Sequence, residues 1–227
     1  FKGTTGGFLD LLYINDGSGQ FIKADGGAIG TESISSTDAT WGDFDNDADV
    51  DVIISPWGGA SVFYLNNGFG KFSRQDAGDL GREANFVSGV AAEDYDNDGD
   101  LDLFISQWHG GSGQEERNQL YRNDSETGNW LKVKLEGVQS NRSAIGARLV
   151  LTATINEQTV NQLRYVNGKT SWRNSSSHMQ HFGLGDTRSA DKLQISWPSG
   201  RVENITTGLS SGQTILIKEG QGITASY

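Results

Sequence analysis

Cysteine is absent from the sequence, so no disulfide and no thiolate metal site can form. The absence does not exclude export, because a domain of this size can build its core without staples. Only two prolines, one methionine and three histidines occur among 227 residues. Basic residues are scarce as well: 18 against 29 acidic ones, for a net charge of -11. That balance excludes a nucleic-acid surface, which needs a basic stripe. No run of eighteen apolar residues is present, so no helical membrane span is expected. The first residue is Phe1 and no charged or apolar leader follows it, which reads as a mature or partial chain with any export signal upstream. Glycine, by contrast, is abundant at 31 residues, as in folds of many short strands joined by tight turns.

Two short segments place an Asp at every second position. Asp43, Asp45, Asp47, Asp49 and Asp51 form one; Asp94, Asp96, Asp98, Asp100 and Asp102 form the other. Carboxylates this close repel one another unless a cation joins them. A hard divalent ion that takes six to eight oxygens turns the repulsion into a site, and Ca²⁺ is that ion. An EF-hand is the rival metal loop. Asp94, Asp96, Asp98 and Gly99 satisfy its first half, but its twelfth position is Ile105 and the flanks read as strands.

The two segments belong to a repeat. Shifted by 51 residues, Gly42–Ser55 lies over Glu93–Ser106, and Trp57-Gly-Gly lies over Trp108-His-Gly. The same shift aligns Tyr13-Ile-Asn-Asp-Gly-Ser-Gly-Gln-Phe21 with Tyr64-Leu-Asn-Asn-Gly-Phe-Gly-Lys-Phe72. An earlier, incomplete copy therefore precedes the first Asp loop, with Lys2, Thr4 and Gly6 where ligands would fall and an apolar strand over 8–13. Each copy reads as four strands: one into the loop (39–42, 90–93), an apolar one out of it (50–55, 101–106), a third (62–65, 119–122), then a Gly turn and a fourth beginning at Lys71 or Gln20. Four strands per repeat of this length is a propeller blade. The third copy lacks its Gly-x-Phe, and Trp130 is placed to fill the aromatic slot.

Asp-Phe-Asp-Asn-Asp-x-Asp-x-Asp followed by an apolar strand resembles the FG-GAP (VCBS) repeat of integrin-α-like β-propellers, over roughly residues 1–125. The resemblance implies two calcium sites. In the first, Asp43, Asp45, Asp47 and Asp51 give side chains and Asp49 its carbonyl. In the second, Asp94, Asp96, Asp98 and Asp102 do so, with Asp100 giving its carbonyl.

From Asn129 the pattern changes. Trp130–Leu135 and Leu193–Trp197 alternate cleanly, and 148–155, 160–166, 202–205 and 214–217 add strands, as in a β-sandwich of about seven strands. Asn129-Trp-Leu-Lys-Val, Asn141-Arg-Ser-Ala-Ile-Gly-Ala-Arg148, His181-Phe-Gly-Leu-Gly185 and Trp197-Pro-Ser-Gly-Arg201 resemble the ASPIC/UnbV domain, over about 129–219. This implies an exported or surface protein and brings no catalytic residues.

Other residues admit a chemical reading. His178 and His181 stand three apart and so point to opposite faces of a strand, which favours a structural His181 over a metal pair. Arg148, Arg164, Arg173 and Arg201 form either an anion pocket or ordinary surface charge. Trp57 and Trp108, beside Gly pairs, either stack on a sugar or peptide ligand or plug the gap between blades. The Gly-rich loop at 109–117 is six residues longer than its counterpart and is a place for recognition. Asn123, Asn141, Asn174 and Asn204 head Asn-x-Ser/Thr sequons, relevant if the source glycosylates. No nucleophile elbow, phosphate loop or zinc-protease motif appears, so no enzyme is expected.

The expectation is an all-β chain of about two and a half FG-GAP blades (1–125) and a C-terminal β-sandwich (129–219). Its function reads as extracellular, calcium-stabilised adhesion or ligand binding, with a protein or glycan partner at the cell surface. Further blades come from upstream or from another chain. The alternatives are a structural subunit of a surface assembly or filament, and a carbohydrate-active hydrolase.

Overall fold

A computed structural model describes residues 8–82, 84–108, 117–125, 128–169 and 177–227. Described residues form strands and a single 3₁₀ turn at Gly78–Gly81, so the chain is all-β. No helix among them is long and apolar enough to cross a membrane. The chain divides into two compact units that are not consecutive in sequence. One holds Phe1–Gly42, Val50–Ala92 and Leu103–Tyr121; the other holds Asp43–Asp49, Glu93–Asp102 and Arg122–Tyr227. Most of both Asp loops therefore belongs with the C-terminal part.

The first unit begins with short strands: β1 (Phe8–Leu9), β2 (Tyr13–Asn15), β3 (Phe21–Lys23), β4 (Gly26–Gly27) and β5 (Ser33–Ile34). The expected single strand over 8–13 is thus split, with β1 pairing β5 and β2 pairing β3. Next come β6 (Ser36–Gly42), β7 (Asp51–Ala60), β8 (Val62–Asn66) and β9 (Lys71–Gln75), an antiparallel meander of the blade form. Residues 51–56 of β7 are all buried, which accounts for the unbroken apolar run Val52-Ile-Ile in a strand paired on both sides. Val52, Ile54, Val62, Tyr64, Phe72 and Ile29 make the core of this unit.

The turns repeat with the sequence. Asn67 N–H donates to the Lys71 carbonyl, and Asp16 N–H donates to that of Gln20. In each, the side-chain Oδ1 then accepts amides two and four residues on. Gly17, Gly19, Gly68 and Gly70 have φ of 85°, 89°, 77° and 72°, a left-handed requirement that explains the Gly-x-Gly spacing. β10 (Ala84–Glu93), β11 (Asp102–Gln107) and β12 (Gln119–Tyr121) continue the sheet as the next copy.

The second unit contains β13 (Asn129–Glu136), β14 (Arg148–Ile155), β15 (Gln158–Tyr165), β16 (Gln180–Gly185), β17 (Lys192–Ser196), β18 (Val202–Ile205), β19 (Gln213–Lys218) and β20 (Gly222–Ser226). They form two four-stranded sheets, β16-β13-β19-β20 and β15-β14-β17-β18. Leu131, Val133, Ile215 and Ile217 of one sheet share a fully buried cluster with Leu149, Leu151, Leu193 and Ile195 of the other, as in a sandwich. Among the described residues there are eight strands, one more than the sequence pattern predicts. Trp130 belongs to β13, which pairs β16 and β19, rather than to a blade's outer strand.

Glu219, just past β19, is a buried carboxylate that closes the loop after β13. Its Oε2 accepts the N–H groups of Val138, Gln139 and Ser140 at 2.7, 2.8 and 2.8 Å, and Oε1 accepts the Ser140 and Ser199 hydroxyls. Burial pushes its pKa up, but the hydrogen bonds from Ser199 and the 138–140 amides outweigh this and bring it down to about 2. The folded pKa lies below the unfolded value, so Glu219 contributes stability that is full above about pH 4.5 and lost as pH falls to about 2. Urea unfolding followed by Trp fluorescence should show this acid slope. In Glu219→Gln the slope should flatten, with lower stability at neutral pH. A variant with the parent's slope and stability would contradict the assignment.

Candidate metal centre

The Asp loops use a short carboxylate to organise their own backbone. Position 1 reaches forward: Asp43 Oδ2 accepts Ala48 N–H, and Asp94 Oδ2 accepts Gly99 N–H, both at 3.0 Å. Positions 3 and 5 cap the amides two residues on. Asp45 and Asp96 accept from Asp47 and Asp98, while Asp47 and Asp98 accept from Asp49 and Asp100. These bonds wind each loop tightly enough to need left-handed residues at positions 4 and 6. Asn46 and Asn97 have φ of 59° and 64°; Ala48 and Gly99 have φ of 84° and 103°.

The winding gathers carboxylate oxygens from positions 1, 3 and 9. Those of Asp43, Asp45 and Asp51 lie within 4.8 Å of one another, as do those of Asp94, Asp96 and Asp102. Asp47, Asp49, Asp98 and Asp100 are not in these triads. Asp102 is oriented by two amides: Asn123 N–H donates to Oδ1 and Tyr95 N–H to Oδ2, each at 2.9 Å. Asp94 Oδ1 is buried and accepts no hydrogen bond among the described residues. An oxygen in that state is costly, and a cation bound by the triad would satisfy it. The residues therefore fit a hard divalent ion.

Electrostatics agree. Burial, then the neighbouring Asp47, raises the Asp45 carboxyl. Burial followed by Asp47 and Asp45 raises Asp49. Burial, then Asp98, lifts Asp100 to about 6, and burial raises Asp102 despite its two amides. Burial is the larger cause in each, and like-charged neighbours add to it.

Supports from β13 and β16 surround the loops, and the alternating pattern gives little sign of them. The buried Lys132 ammonium donates to Asp94 Oδ2 at 2.5 Å and to Asn97 Oδ1 at 3.1 Å. Gly183 N–H donates to Asp43 Oδ2 at 3.0 Å, and Gly185 N–H to the Asn46 carbonyl at 2.8 Å. His181 Nε2 lies 2.9 Å from the Gly99 carbonyl. Burial holds the His181 pKa down to about 4, so the neutral ring donates Nε2–H to that oxygen. Arg164 Nε donates to the His181 carbonyl at 3.0 Å, and its guanidinium stands over Phe182.

The other candidates separate. His178 lines a shallow cavity of about 250 Å³ with Lys134, Glu136 and Arg142, away from His181's partners. Arg201 pairs with Glu203, apart from the Arg164 contacts. Trp57 is half-exposed and edge-on to Phe86 at 5.3 Å, and Trp108 N–H donates to the Phe86 carbonyl. Among the sequons, Asn123 is engaged: its Nδ2 donates to the Phe44 carbonyl and its Oδ1 accepts Ser125 N–H. Asn141 and Asn204 are exposed. Lys2, Thr4, Gly6, His109, Arg173, Asn174 and most of the 109–117 loop lie outside the described residues.

This geometry defines a class: an all-β chain in which Asp-rich repeat loops gather carboxylates that could hold a metal ion and are seated against a β-sandwich. Comparison with known proteins names the parts. Residues 43–105 match the FG-GAP-like repeat family, and residues 137–224 match the family described as ASPIC and UnbV. The chain thus carries an FG-GAP-like repeat followed by an ASPIC/UnbV domain. It is 28% identical over 182 residues to cartilage acidic protein 1 of Xenopus tropicalis and 26% identical over 185 residues to that of Homo sapiens. Each match covers 75% of this chain and 26% of the relative, so the chain spans about a quarter of the length of the curated relatives it matches.

Proposed function

We propose that this chain is an extracellular, calcium-stabilised binding or adhesion protein, with one Ca²⁺ in each Asp loop and no catalytic activity. The convergence of Asp94, Asp96 and Asp102 around a buried carboxylate oxygen without a hydrogen-bond partner carries the reading. Asp98 and the Asp100 carbonyl complete the second site; Asp43, Asp45, Asp47, Asp51 and the Asp49 carbonyl form the first. Kinship with cartilage acidic protein 1 supports the extracellular setting. The ion's role is structural: it pins the turn between two strands.

Partners are proteins or glycans at the cell surface, met through loops such as those bearing Trp57 and Trp108. Sheet partners are further blades of the same repeat, from this polypeptide or another. Phe8, Tyr13, Phe21 and Ile22 in the short first strands are at least half exposed, more apolar surface than a solvated rim carries. The same surface favours the second reading, a subunit of a surface assembly; sedimentation of the chain would show it as a defined oligomer.

The calcium reading is tested by thermal melting. An ion that binds only the folded state raises stability with the logarithm of its concentration above Kd. Millimolar calcium should raise Tm over chelator, and a structure at that concentration should show oxygens about 2.3–2.6 Å from each ion. Asp102→Ala should abolish the second site's share of the shift. Asp100→Ala should reduce it less, because its side chain turns to Asn46 and its carbonyl survives. No shift with calcium, or the reverse order of the two variants, would overturn the reading.

A further inference from the structure

The two Asp loops repeat in sequence, yet their position-4 asparagines do different work. Asn97, in the second loop, accepts a hydrogen bond from Lys132 of β13 at 3.1 Å. Asn46, in the first, is buried at 1% exposure and reaches the other loop. Its Nδ2 donates to Asp100 Oδ1 at 2.7 Å and approaches the Gly99 carbonyl at 3.4 Å. Its own carbonyl accepts Gly185 N–H. Asn123 makes a second bridge: its N–H holds Asp102 Oδ1 in one loop while its Nδ2 holds the Phe44 carbonyl in the other. β16 touches both loops as well, through Gly183 to Asp43 and through His181 to Gly99.

We propose that the loops bind divalent cations as one coupled unit, with Asn46 as the residue that transmits binding at the first loop to the second. The inference rests on the calcium reading above. Asn46 holds a left-handed conformation inside the turn that the first ion would close. Closing that turn fixes its side chain, and with it Asp100, the residue whose carbonyl faces the second ion. The ordering cost of the second loop is then partly met before its own ion arrives, which is positive cooperativity. By reciprocity, the second ion strengthens the first to the same degree.

Calcium titration of the full chain by isothermal calorimetry tests this. Asp45→Asn leaves the second loop alone, and Asp96→Asn leaves the first. In the parent, the product of the two binding constants should exceed the product of the single-loop constants by about fivefold or more. Both charge removals also weaken binding directly, so the three-protein set is repeated in Asn46→Ala. There the excess should fall to within about twofold of the charge effect alone. Asn123→Ala, which keeps the backbone amide on Asp102, gives the same comparison should Asn46→Ala fail to fold, and a reduced excess is expected there too. Two tight sites with the same excess in every background would overturn the coupling while leaving the calcium reading intact. No calcium uptake by the parent would overturn both.

Discussion

Replacing Lys132 with Met should cost about 3–5 kcal/mol of stability in chelator, because it strips a buried carboxylate of its cationic partner. The Lys132 side chain is 3% exposed and that of Asp94 1%, so water cannot take over for either partner. Met keeps the aliphatic length and therefore the packing beside Trp130, whose ring lies 5.1 Å from the ammonium. The loss should shrink when millimolar calcium is added, since an ion on Asp94 Oδ1 supplies the missing positive charge. The calcium-dependent rise in Tm should accordingly be larger in Lys132→Met than in the parent. Chemical denaturation with and without calcium measures both quantities. A loss below about 1 kcal/mol, or one indifferent to calcium, would show that Lys132 is not the loop's resident counter-charge.

Gly183→Ala should be comparably severe for a steric reason. A Cβ there would lie 2.1 Å from Asp43 Oδ2 and 2.7 Å from the backbone of Asn46. Neither neighbour is the free end of a flexible chain: one is a carboxylate oxygen already held by the Ala48 amide and the other is main chain seated on β16. Overpacking of this kind costs about 1–3 kcal/mol, and the upper end is expected because the Gly183 amide bond to Asp43 must stretch too. Calcium affinity of the first loop should fall with stability. Gly81→Ala, where an added Cβ meets nothing within 4 Å, is the control and should stay within about 0.5 kcal/mol. If both alanines were neutral, β16 would not be the seat of the first loop.

What could be read from the residues followed local rules. The Asp spacing, the 51-residue shift and the Gly-x-Gly turns are set by neighbours in the chain, and they appear in the structure as wound loops and Asx-closed turns. Arg148–Ile155 and Val202–Ile205 are strands where the alternation places them. β16 escaped because two glycines interrupt its pattern, and β20 because Gly222-Ile-Thr-Ala-Ser is short and nearly polar. The supports of the Asp loops were invisible for a different reason. Lys132 and Lys134 are the same residue on the same face of β13, yet Lys132 is buried and Lys134 exposed. Only the tertiary position of the second Asp loop distinguishes them. Asn46 and Asn97 likewise occupy one slot of the repeat and differ only in what lies opposite.

The sixth loop position has consequences for anyone rebuilding these repeats from an average copy. In the second loop it is glycine, and a methyl there would run into the Trp130 indole. In the first it is Ala48, left-handed at φ 84°, with its methyl inside the sandwich's own apolar cluster. A consensus unit with glycine in both slots would relax the first backbone but withdraw a methyl from the core; one with alanine in both would not close the second loop. The copies have become non-interchangeable parts, each machined to the surface it meets, and a loop transplanted from one to the other carries the wrong sixth residue with it.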